Sequence, residues 1–256
     1  RWFAQGGGRR EKVVLATKLG HPDMPGGVGS SARTIKQSCE DSLRRLQTDY
    51  IDLYQMHHID RHTPWEEVWG AMEQLVREGK ILYVGGSNFA GWHIAQANEV
   101  AQHVGPQAHH FLGLVSEQSL YNLAARTVEM EVIPACRAYG MGLIPWSPLA
   151  GGILAGTGEP GDRRQGGRSQ QVRQQQGDRL ARYEAFCQEM GEKPAHVALA
   201  WLLHQGTVTA PIIGPRTLDQ LTSSLRALAI RLSEEQLAQL DDIWPGYKPA
   251  PEHYAW

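Results

Sequence analysis

Six apolar runs of this 256-residue chain end on side chains that can do chemistry. KVVLATK ends on Lys18, IDLYQMH on His57, ILYVGGSN on Ser87 and Asn88, and LGLVSEQ on Gln118; GMGLIPWSP carries Trp146 and Ser147, and VTAPIIGPR carries Gly214 and Arg216. These are a cation, an imidazole, hydroxyls, amides, an indole and a guanidinium. They are groups that donate and accept hydrogen bonds, stack on a planar ring or pair with phosphate. One lysine or histidine at a strand end is more often structural than catalytic, whereas six coincident polar ends point to a shared active-site face. His58 follows His57 and is expected to point the opposite way along the strand, as a packing or surface residue.

Elements that hold such residues must repeat. Each run is apolar on nearly every residue, the pattern of a strand buried on both faces in a parallel sheet. Between runs the period changes to helical: SARTIKQSCEDSLRRL puts Ile35, Cys39, Leu43 and Leu46 on one face. TPWEEVWGAMEQLVREGK is expected to open with a Thr63/Glu66 capping box, to carry Pro64 at its first helical position and to close at Gly79. The strand ends at Lys18, His57, Asn88 and Gln118 are spaced by roughly the ~30 residues of a βαβ unit. This grammar predicts a (β/α)8 barrel, in which C-terminal strand ends converge on one face. The segment between Ser147 and Gly214 is about twice as long as one such unit. Its polar part, residues 152–177, is expected to be a mobile loop, either a lid or a disordered insertion, and LARYEAFCQEM and PAHVALAWLLHQ to be helices. Residues 244–256, with three prolines, read as a surface tail of one domain spanning 1–256.

The balance of 25 Lys+Arg against 27 Asp+Glu, net charge −2, gives nucleic acid no electrostatic footprint. No run reaches the ~18 apolar residues of a membrane span. Cys39, Cys136 and Cys187 lie far apart without CxxC or CxxH spacing, as reduced core thiols of a cytoplasmic protein do. GVGSS at Gly27 follows a Pro/Gly cluster and makes no dinucleotide fingerprint.

VVLATKLG, DSLRRLQTDYIDLYQMH, REGKILYVGGSNF, EQSLYNLAAR, IPWSPLAGGIL and IIGPRTLDQL resemble, in sequence and order, the aldo-keto reductases, from about Lys12 to about Leu240. The likeness is nearest to the branch of bacterial aldehyde and sugar reductases and potassium channel β subunits. It implies a (β/α)8 barrel that binds NADPH without a Rossmann domain and reduces a small-molecule aldehyde or ketone to an alcohol by hydride transfer. Lys18 matches the lysine whose cation favours ionisation of a catalytic tyrosine, and His57 the histidine that orients the carbonyl oxygen. Ser87, Asn88 and Gln118 match the residues that hold the nicotinamide carboxamide, and Trp146 the aromatic stacked on its ring. Ser147, Pro148, Leu149, Ala150 and Gly151 match the pyrophosphate loop. Gly214 and Arg216 match the site of the 2′-phosphate, and Gln220 an adenine contact. Ser223 and Ser224 stand where the family often carries acidic residues and Asn, so Ser224 is expected to make a weaker adenine-side contact. The family's catalytic Asp and Tyr precede the ATK lysine, where this chain has only RWFAQGGGRREK, which reads as the tail of a preceding helix. The first two strands are therefore expected to be missing from this chain, and turnover to fail without them. A cofactor-binding regulatory or structural subunit, or an inactive fragment of a reductase, is the alternative. No metal is implied, and a homo-oligomer is left open.

Overall fold

The computed structural model describes residues 2–21, 29–104, 113–156 and 175–254. The chain divides into two units: residues 1–118 with 134–142, and residues 119–133 with 143–256.

In the first unit the apolar runs form a parallel sheet. Its strands are β1 (Ala16–Leu19), β2 (Ile51–Met56), β3 (Ile81–Ser87) and β4 (Leu114–Gln118), each paired with the next. Strand order follows chain order, β1-β2-β3-β4, and among the described residues no reversal makes a doubly wound sheet. Between them lie α1 (Ala32–Leu46), α2 (Trp65–Arg77) and α3 (Gly91–Ala101). Ile35, Cys39 and Leu43 of α1 are buried, as are Val68, Trp69, Met72 and Leu75 of α2. The Trp69 indole N–H donates to Ala97 O at 2.8 Å, tying α2 to α3. The chain passes between the units after Gln118, within α4 (Val132–Ala138) and within the two-residue β5 (Gly142–Leu143).

Several expectations are corrected. The segment before β1 is not the tail of an α-helix: Phe3–Gln5 and Arg10–Lys12 are single 3-10 turns. Gly6, Gly7 and Gly8 all take positive φ between them, which no α-helix accommodates. Thr63 forms no capping box. Its hydroxyl donates to Asp60 at 2.7 Å, and Pro64 occupies the N-cap position with no side-chain cap bond. Gly79, at φ 69°, does end the helix.

In the second unit the run VTAPIIGPR makes one parallel bridge, Val208 with Leu143, and no regular strand. Leu143 and Thr209 donate their N–H groups to Thr207 O and Leu143 O, and Ile212 donates to Pro145 O. Pro211 and Pro215 have no N–H with which to continue a ladder. The two expected helices are α5 (Gly177–Glu189) and α6 (Pro194–Leu203), followed by α7 (Leu218–Ser224), α8 (Glu234–Ile243) and α9 (Ala250–Tyr254). The tail thus contains a helical turn, and Trp244 at its start is buried, its carbonyl accepting from Arg126 at 2.7 Å. In α6 every residue from His196 to Leu202 is buried, and Trp201 packs on Tyr121 with ring centroids 5.3 Å apart. Of the expected mobile loop, residues 157–174 lie outside the described residues; its flanks are a 3-10 helix, Ala150–Ala155, and the start of α5.

All three cysteines are free and buried, and burial pushes the Cys39 thiol up to about 11 and the Cys136 and Cys187 thiols up to about 12. Among the described residues no helix is long and apolar enough to cross a membrane.

Candidate functional site

Two constellations emerge, one in each unit. In the first, the ladder itself assembles the residues. Lys18 pairs in register with Gln55, and Ser87 with Gln118. His57 continues the β1–β2 pairing one residue past the strand, donating its N–H to Leu19 O at 2.9 Å. At the end of β3 the chain turns on Asn88, held at φ 60°. The Gln118 carbonyl accepts both the Asn88 N–H at 3.1 Å and the Ser87 hydroxyl at 2.8 Å. The Asn88 amide donates to His57 O at 3.2 Å and to Ser87 Oγ at 3.1 Å. Three strand ends are thereby tied together, with Ser87 and Gln118 buried and Asn88 exposed.

His58 does not point away. Its ring stacks on His57, centroids 4.8 Å apart and planes 3° apart, while His21 lies 5.0 Å from His57 on a tilted plane. The alternation of a strand no longer applies because β2 ends at Met56. Desolvation, then the charge of Lys18 and the imidazoles of His58 and His21, depress the His57 pKa to about 4. At neutral pH His57 is therefore an uncharged imidazole, able to donate one N–H to an oxygen. Burial also lowers the Lys18 ammonium, while the charge of Glu117 opposes that shift.

Sequence reasoning missed Gln55, His21 and Glu117. Gln55 lies near the C-terminal end of the IDLYQMH run, and that position was its signal in the sequence. It is buried, its side-chain carbonyl accepts a long 3.4 Å bond from the Gln118 amide, and its own amide nitrogen has no acceptor among the described residues. His21 and Glu117 carried no signal of their own.

Among the described residues of this unit no tyrosine hydroxyl is bonded to Lys18 or His57. Tyr54 donates to Ile35 O, Tyr139 to Glu99, Arg10 covers the Tyr50 ring, and Tyr83 is exposed.

The second unit presents the other predicted residues on turns. Trp146 is 36% exposed, and its N–H donates to Ser119 O at 3.0 Å. Ser147 and Ala150 take φ of 53° and 51°, followed by Gly151 and Gly152 at 65° and 95°. Left-handed backbone is strained for Ser and Ala, at about 1–2 kcal/mol each. The Asn122 amide secures the turn, donating to Ser147 O at 2.9 Å. The N–H groups of Ala150, Gly151 and Gly152 bond to Ser147 O, Ser147 Oγ and Leu149 O, so these three amides close the turn itself. Pro148 and Leu149 lie between them.

Gly214 and Arg216 are exposed on the approach to α7, which Thr217 caps by accepting the Gln220 N–H at 3.2 Å. Gln220 folds back so that its side-chain oxygen accepts the Arg216 N–H at 2.7 Å, and the Ser224 hydroxyl donates to Gln220 O at 2.8 Å. The guanidinium of Arg216 stands on a turn braced at its backbone.

Comparison with known proteins adds to this geometry. Residues 1–245 match the Aldo/keto reductase family. The chain is 49% identical over 265 residues to the uncharacterized oxidoreductase YrpG of Bacillus subtilis (strain 168), an alignment covering 100% of this chain and 79% of that protein. It is 31% identical to probable aldo-keto reductase 1 of Glycine max, over 96% of this chain and 73% of the relative. It is 33% identical to norsolorinic acid reductase stcV of Emericella nidulans, over 95% of this chain and 63% of the relative.

Proposed function

Because this chain belongs to the aldo/keto reductase family, (β/α)8-barrel oxidoreductases that act on small-molecule carbonyls with NAD(P)H, we propose that it serves an NADPH-dependent reduction of an aldehyde or ketone to an alcohol in the cytoplasm. The observation that carries this reading is the hydrogen-bonded joining of His57, Ser87, Asn88 and Gln118 at three strand ends. NADPH, when bound, supplies the hydride. The chain's own residues hold and orient. Ser87, Asn88 and Gln118 offer the paired donors and acceptors that a carboxamide needs. The buried amide nitrogen of Gln55, beside Gln118, is a donor that a polar group seated there would satisfy.

His57, uncharged at neutral pH, donates an N–H to the carbonyl oxygen, where negative charge develops. A preorganised donor of this kind contributes about 3–4 kcal/mol to such reactions. Lys18 places a cation at the same strand ends, where it would lower the pKa of a neighbouring phenol. In the family a tyrosine delivers the proton to the product oxygen, and that step is assigned here to none of the described residues. In the second unit Trp146 offers a half-open indole face for a ring. The strained turn at Ser147–Gly151 and the α7 approach with Gly214, Arg216, Gln220 and Ser224 would receive the nucleotide. Arg216 can pair bidentately with a 2′-phosphate, a charged contact worth about 1.5–3 kcal/mol.

The test is NADPH oxidation with a panel of small aldehydes, using this chain and a version extended upstream of Arg1, with titration of NADPH and NADH against Arg216→Ala. Turnover lost in Lys18→Met and in His57→Ala, and a loss of NADPH affinity above about tenfold with NADH unaffected, are expected. Turnover surviving both catalytic variants, or equal loss of the two nucleotides, would overturn the assignment.

A further inference from the structure

Glu117 is fully buried in β4, between Ser116 and Gln118. A carboxylate out of water is costly to the fold unless its oxygens are used. One use is visible: Oε1 accepts the Phe89 N–H at 3.0 Å. The other oxygen occupies the place where Gly86 has no side chain. A Cβ at Gly86 would stand 2.5 Å from Glu117 Oε2, and 3.2 Å from the Phe89 ring. Gly86 and Glu117 are register partners, as are Ser87 and Gln118. Two consecutive residues of β4 therefore hold three consecutive residues of the turn: the Gln118 carbonyl takes Ser87 and Asn88, and the Glu117 carboxylate takes Phe89. An apolar residue at 117 would pack at lower cost but would leave the buried Phe89 amide without an acceptor.

We propose that Glu117 is a positioning residue for the carboxamide-binding turn, fixing Ser87 and Asn88 by holding the N–H of Phe89, which follows them, and filling the space left by Gly86, which precedes them; this rests on the cofactor reading above. It acts through the turn and touches neither cofactor nor substrate. Its charge also reaches Lys18, where it favours the ammonium form, so one buried acid bears on both groups that the proposed reaction needs.

Binding of two probes separates positioning from general stability: NADPH, and the adenosine bisphosphate that carries the 2′-phosphate but no nicotinamide. Glu117→Ala is expected to weaken NADPH about tenfold, the loss of one hydrogen bond to a charged acceptor, and to leave the bisphosphate unchanged. Glu117→Gln keeps an oxygen for Phe89 and should bind NADPH within about threefold of the wild type. Hydrogen exchange on the unliganded wild type, which needs no variant to fold, should find the Phe89 amide protected. Equal weakening of both probes by Glu117→Ala, unchanged NADPH binding, failure of Glu117→Gln to restore binding, or a rapidly exchanging Phe89 amide would each overturn the inference. A wild-type protein that binds neither probe would instead overturn the cofactor reading on which it stands.

Discussion

The two constellations are built in different ways. In the first unit the proposed functional groups sit on a hydrogen-bonded ladder: Ser87 and Gln118 are register partners, Lys18 pairs with Gln55, and of these residues only Asn88 takes left-handed backbone. In the second they sit on turns and on the short α7, where Ser147 and Ala150 carry backbone strain, Gly214, Arg216 and Gln220 are exposed and Ser224 is half-buried. The ladder fixes positions to the tolerance of a packed interior, in which one added methyl group is felt. The turns place backbone and charge toward solvent at the cost of local strain, as binding loops commonly do.

The largest test of this contrast is Gly86→Ala. Overpacking against Glu117 and Phe89 should cost about 1–3 kcal/mol, read as a lower midpoint in chemical denaturation. A cost below about 0.5 kcal/mol would show that the interior around β3 yields.

The opposite sign is expected at Ala150→Gly. Left-handed crowding of about 1–2 kcal/mol is relieved, and added freedom of the unfolded chain takes back about 0.5–1 kcal/mol. The variant should therefore be about 0.5–1 kcal/mol more stable, with a higher Tm in a thermal melt. A loss of stability would mean that the methyl group makes a contact worth more than the strain.

A third test is spectroscopic. The His57 resonances should titrate with a midpoint of about 4, and Lys18→Met should move that midpoint upward, since the lysine charge is the largest cause after desolvation. The unfolded chain takes up a proton near the ordinary 6.5 and the folded chain only near 4. As pH falls through that window the unfolded form binds more protons, so His57 makes the fold less stable there and has no such effect above it. A midpoint that stays put in Lys18→Met would remove the lysine from the imidazole's surroundings.

The smallest effect is expected at Gly214→Ala, where a Cβ meets nothing within 4 Å. Its stability should match the wild type within about 0.5 kcal/mol, and a larger change would show that the α7 approach is as closely packed as β3.

Much of this arrangement was legible from residue order alone. Apolar continuity located β1 to β4 and their parallel pairing, although burial on both faces does not hold throughout these runs: Val14, Leu82 and Tyr83 are exposed. Helical spacing located α1 and α2 because each buries only one face, and the polar residue ending each run marked Lys18, His57, Ser87, Asn88 and Gln118. Local rules failed where a distant partner competed: Asp60 took the Thr63 hydroxyl from its cap, and Gly6–Gly8 and Pro211 broke elements that the apolar pattern alone would have continued.

What only the tertiary structure decided is who faces whom. The His58 ring lies on His57, and both histidines stand beyond the end of β2 at Met56, where strand alternation no longer applies. Gln55 became part of the site through its register with Lys18, and Glu117 through a gap left by a glycine on the neighbouring strand. Periodicity fixes which side of an element a residue occupies. Register and the meeting of side chains from separate strands depend on energies shared across the fold, and no short stretch of sequence contains them.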